Sequence, residues 1–202
     1  MIAIVDYGVG NIFSLASSFD AIGERAVLTG NAAVIRDADK IILPGVGAFG
    51  DAREKLAKTG LDRAVIDAAA HGVPLMGICL GMQLLFDYSL EFGRYEGLGL
   101  IRGCVRPISE VIPAGLKIPQ IGWNRLDVRG CDRVLSPDFD GKHVYFVHSF
   151  YATDCDADTI ATCDYGAPLT AAVSHENVWG MQFHPEKSGE VGLAILKAFS
   201  RL

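Results

Sequence analysis

The sequence predicts a single α/β domain over residues 1–202, with a mostly parallel central sheet, flanking helices, and an additional antiparallel strand region in the C-terminal half. Three observations carry this prediction. Between residues 2 and 86, short apolar runs are separated by segments with helical periodicity, the texture of parallel strands covered on both faces. Glycine-rich turns follow directly on two of those runs, at 44–50 and 77–81, where the βα connections of an open sheet present backbone to ligands. Beyond Tyr88 the long helical patterns stop, and short strand-like runs succeed one another up to a final helix.

Taken in order, Ile2–Val5 reads as a buried first strand. The start of the chain has no basic stretch and meets an acid at Asp6, so a secretory leader is not expected. Residues 6–11 form a loop, and Gly8 and Gly10 suit a sharp turn. They lack the third glycine of a dinucleotide fingerprint, because position 13 is Phe. Ile12, Leu15, Ala16, Phe19 and Ile22 share one helical face, and Gly23 ends that helix. Strands are expected at 26–29 and 40–43.

The second of these runs into Pro44, Gly45, Val46, Gly47, Ala48, Phe49 and Gly50. Bare backbone N–H groups there suit a phosphate or an oxyanion. No Gly-Lys-Ser/Thr follows, which favours the oxyanion. Helices are expected at 49–58 and 61–71, a strand at 73–78, and a helix from Leu80 to Phe86. Residues 91–99 read as a glycine-rich loop. Strands are then expected at 100–106, 117–128, 143–147, 158–163, 169–174 and 178–183. Val191, Ala194, Ile195, Ala198 and Phe199 define a closing helix within 189–202.

The chemistry centres on Gly77, Ile78, Cys79, Leu80 and Gly81. Cys79 falls at a strand-to-helix turn with a glycine two residues away on each side, the pattern of a nucleophile elbow. The unpaired N–H groups of the following helical turn favour thiolate over thiol. A cysteine nucleophile needs a base, and the base an orienting group. The run Val178 to Phe183 ends in His184, Pro185 and Glu186. Proline biases His184 to extended geometry, which predicts that the imidazole and the Glu186 carboxylate project to one side and bond.

Composition narrows the alternatives. A net charge of −6 without a basic run argues against nucleic acid. No apolar run reaches the roughly 20 residues of a membrane span. Five cysteines without a C-x-x-C pair point to free thiols in a reducing cytoplasm. The five histidines show no zinc spacing, so neither metal nor cofactor is expected.

The segments Gly77 to Gln83 and Gln182 to Glu186 resemble the two signatures of class I (triad-type) glutamine amidotransferases, and Pro44 to Gly47 resembles their oxyanion strand. The resemblance spans essentially the whole chain. It implies that Cys79 attacks the side-chain amide of L-glutamine, with His184 as general base and then acid and Glu186 as orienter. It implies oxyanion donors at the Leu80 N–H and at Val46 or Gly47. It further implies glutamine contacts at Gly45, Gln83, Glu96 (to the α-ammonium) and the backbone of Ser149 and Phe150. Phe150 departs from the Tyr or other polar residue frequent there, without consequence for a backbone contact.

At a finer level, residues 6–11, 44–49, 119–124 and 145–151 resemble those of the glutaminase subunits of imidazole glycerol phosphate synthases, of histidine biosynthesis. That implies a heterodimer with a TIM-barrel cyclase that takes the ammonia through a tunnel. Asn11, Trp123, Tyr145 and Lys187 would face the cyclase. The freedom of the 45–47 peptides implies an isolated chain of low activity, switched on by its partner. A catalytically silent module and a stand-alone thiol hydrolase are the competing classes. The intact Cys79, His184 and Glu186 oppose the first, and residues 119–124 the second.

Overall fold

The computed structural model describes residues 1–202. Its centre is an eight-stranded sheet. The strands, from one edge, are β2 (Ala26–Thr29), β1 (Ile2–Val5), β3 (Lys40–Gly45), β4 (Leu75–Cys79), β14 (Val178–Met181), β13 (Pro168–His175), β12 (Thr159–Asp164) and β9 (Asp127–Val128). The first five are parallel to one another, and the last three are joined antiparallel. The expected fold class is thus observed.

Alternation along each parallel strand feeds two cores. Ala3, Val5, Ile41, Leu43 and Leu75 face one side, where α2 (Ala32–Arg36), α3 (Phe49–Lys58) and α4 (Leu61–Ala70) cover them with Ile35, Phe49, Leu56, Leu61 and Val65. Ile2, Ile4, Ile42, Met76 and Ile78 face the other, under α1 (Ile12–Ala21) and α6 (Gly189–Ser200), which supply Leu15, Phe19, Ile195, Leu196 and Phe199. Burial on both faces explains why these strands carry no polar alternation. No helix is long and apolar enough to cross a membrane.

Several expected elements differ. The helix after Cys79 is only α5 (Leu80–Leu84), and Phe86 opens β5 (Phe86–Ser89). The reason is competition for carbonyls. The N–H of Leu98 bonds the Leu84 oxygen and those of Leu100 and Ile101 bond the Leu85 oxygen, so the helix end is closed by a later segment. β5 then pairs with β6 (Tyr95–Glu96) and β7 (Ile101–Pro107), and β7 with β11 (Phe150–Thr153), a strand absent from the sequence reading.

The expected strand at 117–128 is two strands. β8 (Gln120–Arg125) makes a separate antiparallel ribbon with β10 (His143–His148), and after the buried Leu126 the chain joins the main sheet as β9. Helix α2 was also not anticipated. Its Asn31 accepts from the Ala33 N–H at 2.9 Å, an N-cap on only five residues.

Candidate active site

Cys79 ends β4 and precedes α5, with its backbone at φ 56°, ψ −114°. Positive φ in a non-glycine residue costs about 1–3 kcal/mol. It persists because strand and helix close on each other. A Cβ on Gly77 would lie 2.6 Å from the Gly81 carbonyl oxygen, and one on Gly81 1.9 Å from that of Leu43. The turn sits at the carboxyl end of β4, between β3 and β14, where open α/β sheets bind ligands. The Cys79 sulfur lies 4.0 Å from the Val147 carbonyl and 3.9 Å from the Gln182 side-chain nitrogen.

His184 is fixed from several sides. Its N–H donates to the Tyr145 carbonyl at 2.9 Å, its carbonyl accepts from the Ser188 hydroxyl at 2.7 Å, and that hydroxyl accepts from the Tyr145 N–H at 3.0 Å. His184 Nδ1 meets Glu186 Oε1 at 2.8 Å, with the two side chains 3% and 1% exposed. The contact is the expected one, but its cause is not. Residues Pro185–Lys187 form a 3-10 turn, which folds Glu186 back under the ring, rather than an extended segment.

Bonding to a carboxylate fixes a proton on Nδ1, so the nitrogen left to exchange a proton with Cys79 is Nε2, which is buried and without a hydrogen-bond partner. Burial disfavours the imidazolium, but the Cys79 sulfur and the Glu186 carboxylate outweigh it and lift the His184 pKa from 6.5 to about 9.

Cys79 and His184 open on one cavity of about 430 Å³. Val46, Gly47 and Leu80 line it beside the thiol. The N–H groups of Val46 and Gly47 donate to no carbonyl in the chain, and Gly47 sits at φ 92° with open space where a Cβ would be. Gln83 forms part of the wall. Its amide nitrogen donates to the Phe150 carbonyl at 3.0 Å and to the Gln182 side-chain oxygen at 2.9 Å. Ser149 and Phe150 line the cavity next to Gln83, and both of their carbonyls already accept protein hydrogen bonds. What this segment has left to offer is the Ser149 N–H, which has no backbone partner.

Other expected residues lie elsewhere. Gly45 is packed behind the thiol, where a Cβ would stand 2.6 Å from the Gly81 nitrogen, and does not line the cavity. Glu96 does not reach it either. Its side chain is 71% exposed and paired with Arg94 at 3.1 Å. The carboxylate on the cavity wall is Glu91, which sequence reasoning missed. Glu91 is buried, accepts from the Phe49 N–H at 2.6 Å at the start of α3, and has its pKa raised chiefly by burial.

Trp123 and Tyr145 are direct cross-strand partners on the β8–β10 ribbon, with rings edge-on at 6.0 Å and Trp123 half exposed. Lys187 lies 5.6 Å over the Tyr145 ring and reaches the cavity rim. Asn11, expected to face the partner, is half-buried and donates to Glu186 at 3.4 Å.

A second histidine in the cavity, His148, also went unnoticed. Its Nδ1 meets the Phe150 carbonyl at 2.8 Å, while Nε2 is buried and unpartnered. Burial first, and then the nearby His184, lower its pKa to about 4. The only sequence signal was its inward place in the β10 alternation.

The constellation combines a thiol on a strained turn, an imidazole oriented by a buried carboxylate, and unbonded N–H groups beside the thiol. These are the parts needed for acyl transfer through a thioester.

Comparison with known proteins agrees with this chemistry. The family model described as glutamine amidotransferase class-I matches residues 3–201. "Imidazole glycerol phosphate synthase subunit HisH" of Oceanobacillus iheyensis is 44% identical over 203 residues, covering 100% of this chain and 99% of the relative. The subunit of the same name from Lacticaseibacillus casei is 48% identical over 202 residues, covering 100% and 96%. Among solved structures, a glutamine amidotransferase aligns with TM-score 0.76 at 17% identity, covering 99% of this chain and 100% of that one. A PurLQS structure from Thermotoga maritima aligns with TM-score 0.76 at 22% identity, covering 99% and 97%. At those identities the structures speak to fold alone.

Proposed function

This chain belongs to the class I glutamine amidotransferase family, and from that premise we propose that it is the glutaminase subunit of an imidazole glycerol phosphate synthase, in histidine biosynthesis. One observation carries the site assignment: Cys79, at φ 56° on the carboxyl edge of the sheet, and His184, held by Glu186 at 2.8 Å, open on one cavity.

The Cys79 sulfur attacks the side-chain carboxamide carbon of L-glutamine. The oxyanion that forms is received by the Leu80 N–H and by a freed N–H at Val46 or Gly47. His184, with Glu186 behind it, takes the thiol proton and returns it to the leaving nitrogen, so ammonia departs and a γ-glutamyl thioester remains. Water, deprotonated by the same Nε2, then attacks the thioester. Glutamate leaves and the thiol is restored, so one glutamine and one water give one glutamate and one ammonia. Glu91 replaces Glu96 in our reading as the carboxylate for the substrate's α-ammonium.

The ammonia passes to a cyclase subunit docked over Trp123, Tyr145 and Lys187, which makes imidazole glycerol phosphate and an aminoimidazole carboxamide ribonucleotide. The full-length similarity to HisH subunits supports this partner. Exposed apolar side chains at Ile118, Ile121 and Trp123 beside the cavity support a docked surface there.

The deciding experiment is glutamate release from glutamine by the purified chain, alone and with its cyclase plus nucleotide ligand. Release that depends on the cyclase is the expected result. Full release by the isolated chain would remove the synthase assignment, and no release under any condition would remove the enzyme reading.

A further inference from the structure

Glu186 is a buried carboxylate with few donors. Its Oε1 accepts from His184 Nδ1 at 2.8 Å and from Asn11 Nδ2 at 3.4 Å, while Oε2 has no partner. Asn11 is therefore its one donor apart from the base itself. A buried carboxylate with unfilled lone pairs is costly and turns toward whatever donor it finds.

Asn11 also fails to do what its residue type does at its position. It stands at the N-cap of α1, where an Asn side chain ordinarily accepts an N–H of the first turn. No such bond forms in α1, whereas Asn31 makes it in α2. The Asn11 side chain is turned instead to Glu186, 175 residues away in sequence.

The preceding loop fixes this choice. The Gly8 N–H bonds the Asp6 carboxylate at 3.1 Å. Gly10, at φ 118°, lies so close to Pro44 that a Cβ would be 3.0 Å from the proline Cβ. The buried Tyr7 donates its hydroxyl proton to the Pro44 carbonyl at 2.8 Å. Pro44 leads directly to Val46 and Gly47. One loop thus touches both the carboxylate behind the base and the strand end beside the thiol.

We propose that Asn11 is a positioning residue: it holds Glu186 with Oε1 facing His184, and Tyr7 ties that setting to the Pro44 to Gly47 segment. The proposal rests on the reading of Cys79, His184 and Glu186 given above.

The test compares Asn11→Ala and Asn11→Asp with the unsubstituted chain. One readout is kcat and KM for glutamine in the complex saturated with the cyclase. The other is the pH profile of Cys79 alkylation by iodoacetamide in the isolated chain, followed by peptide mass spectrometry because the exposed Cys131 reacts as well.

Positioning predicts that kcat falls at least about tenfold in both variants while KM stays within about twofold. It also predicts that Asp, which sets a second carboxylate against Glu186, does no better than Ala, and that the alkylation midpoint moves in both. A pure capping role predicts the reverse order, with Asp restoring full kcat. A pure interface role predicts weaker cyclase binding with unchanged kcat at saturation. Either result overturns the proposal. If the unsubstituted chain releases no glutamate, the amidotransferase reading has failed and the alkylation profile alone decides, an unmoved midpoint overturning the positioning role.

Discussion

Gly81 rests against the carbonyl oxygen of Leu43, where a Cβ would lie 1.9 Å away. The contact holds α5 against the end of β3 and so sets the pitch of the turn that carries Cys79. Gly81→Ala must push strand and helix apart, and overpacking against backbone has no flexible side chain to absorb it. The expected loss is more than about 3 kcal/mol, read from the urea midpoint. Gly23→Ala is the control. Gly23, unlike Gly81, sits at positive φ, 80°, but has nothing within 4 Å of the added Cβ, so the substitution should cost only about 1 kcal/mol. Equal costs at the two sites would mean that close approach does not set the elbow.

Cys79→Gly and Cys79→Ala both remove the thiol, and both should abolish glutamate release. They should differ in stability. In ordinary strand or helix positions Gly is worse than Ala by roughly 0.5–1 kcal/mol. At φ 56°, ψ −114° the order should invert, with the Gly variant more stable by about 1 kcal/mol. Thermal melts of the two proteins check this, and a more stable Ala variant would show that the turn relaxes once sulfur is gone.

The elbow was legible because its cause is local: two glycines around Cys79 encode a close crossing within five residues. The His184–Glu186 pair was legible for the same reason, although the sequence suggested an extended segment and the chain makes a 3-10 turn. What could not be read depends on distant chain. Phe86 leaves the helix because Leu98, Leu100 and Ile101 claim the carbonyls of Leu84 and Leu85. Glu91 and Glu96 are two acids in one glycine-rich loop, and only the Phe49 N–H, 42 residues away, decides which turns inward. Asn11 carries a helix-start signal, and nothing near it in sequence announces Glu186.

Two histidines should shape stability against pH in opposite directions. Native His148 stays neutral down to about pH 4, whereas an unfolded histidine takes its proton near 6.5. Between those values the unfolded state binds more protons, so stability falls as pH falls, by up to about 3 kcal/mol from this residue. Native His184 keeps its proton up to about pH 9. Its contribution is complete below 6.5 and is lost as pH rises through 9. Urea unfolding across pH should show His148→Gln flattening the acid limb and His184→Gln the alkaline limb. An acid limb of unchanged slope in His148→Gln would contradict the buried neutral imidazole.

Glu91 and Glu96 provide the sharpest separation of sequence expectation from structure. Glu91 lies on the cavity wall, buried, with one oxygen held by the Phe49 N–H and burial raising its pKa. A glutamine α-ammonium entering the cavity would relieve that burial cost, because an opposite charge stabilises the carboxylate most where water is scarce. Glu91→Gln keeps an oxygen for Phe49 but loses the charge. KM for glutamine should rise about tenfold or more, the equivalent of about 1.4 kcal/mol, with a smaller change in kcat. Glu96 is solvated and engaged with Arg94, a surface pair that water screens. Glu96→Gln should leave KM within about twofold. Steady-state glutaminase kinetics of the two variants decide the matter. A large KM effect at Glu96 with none at Glu91 would require the 91–99 loop to turn over when glutamine binds.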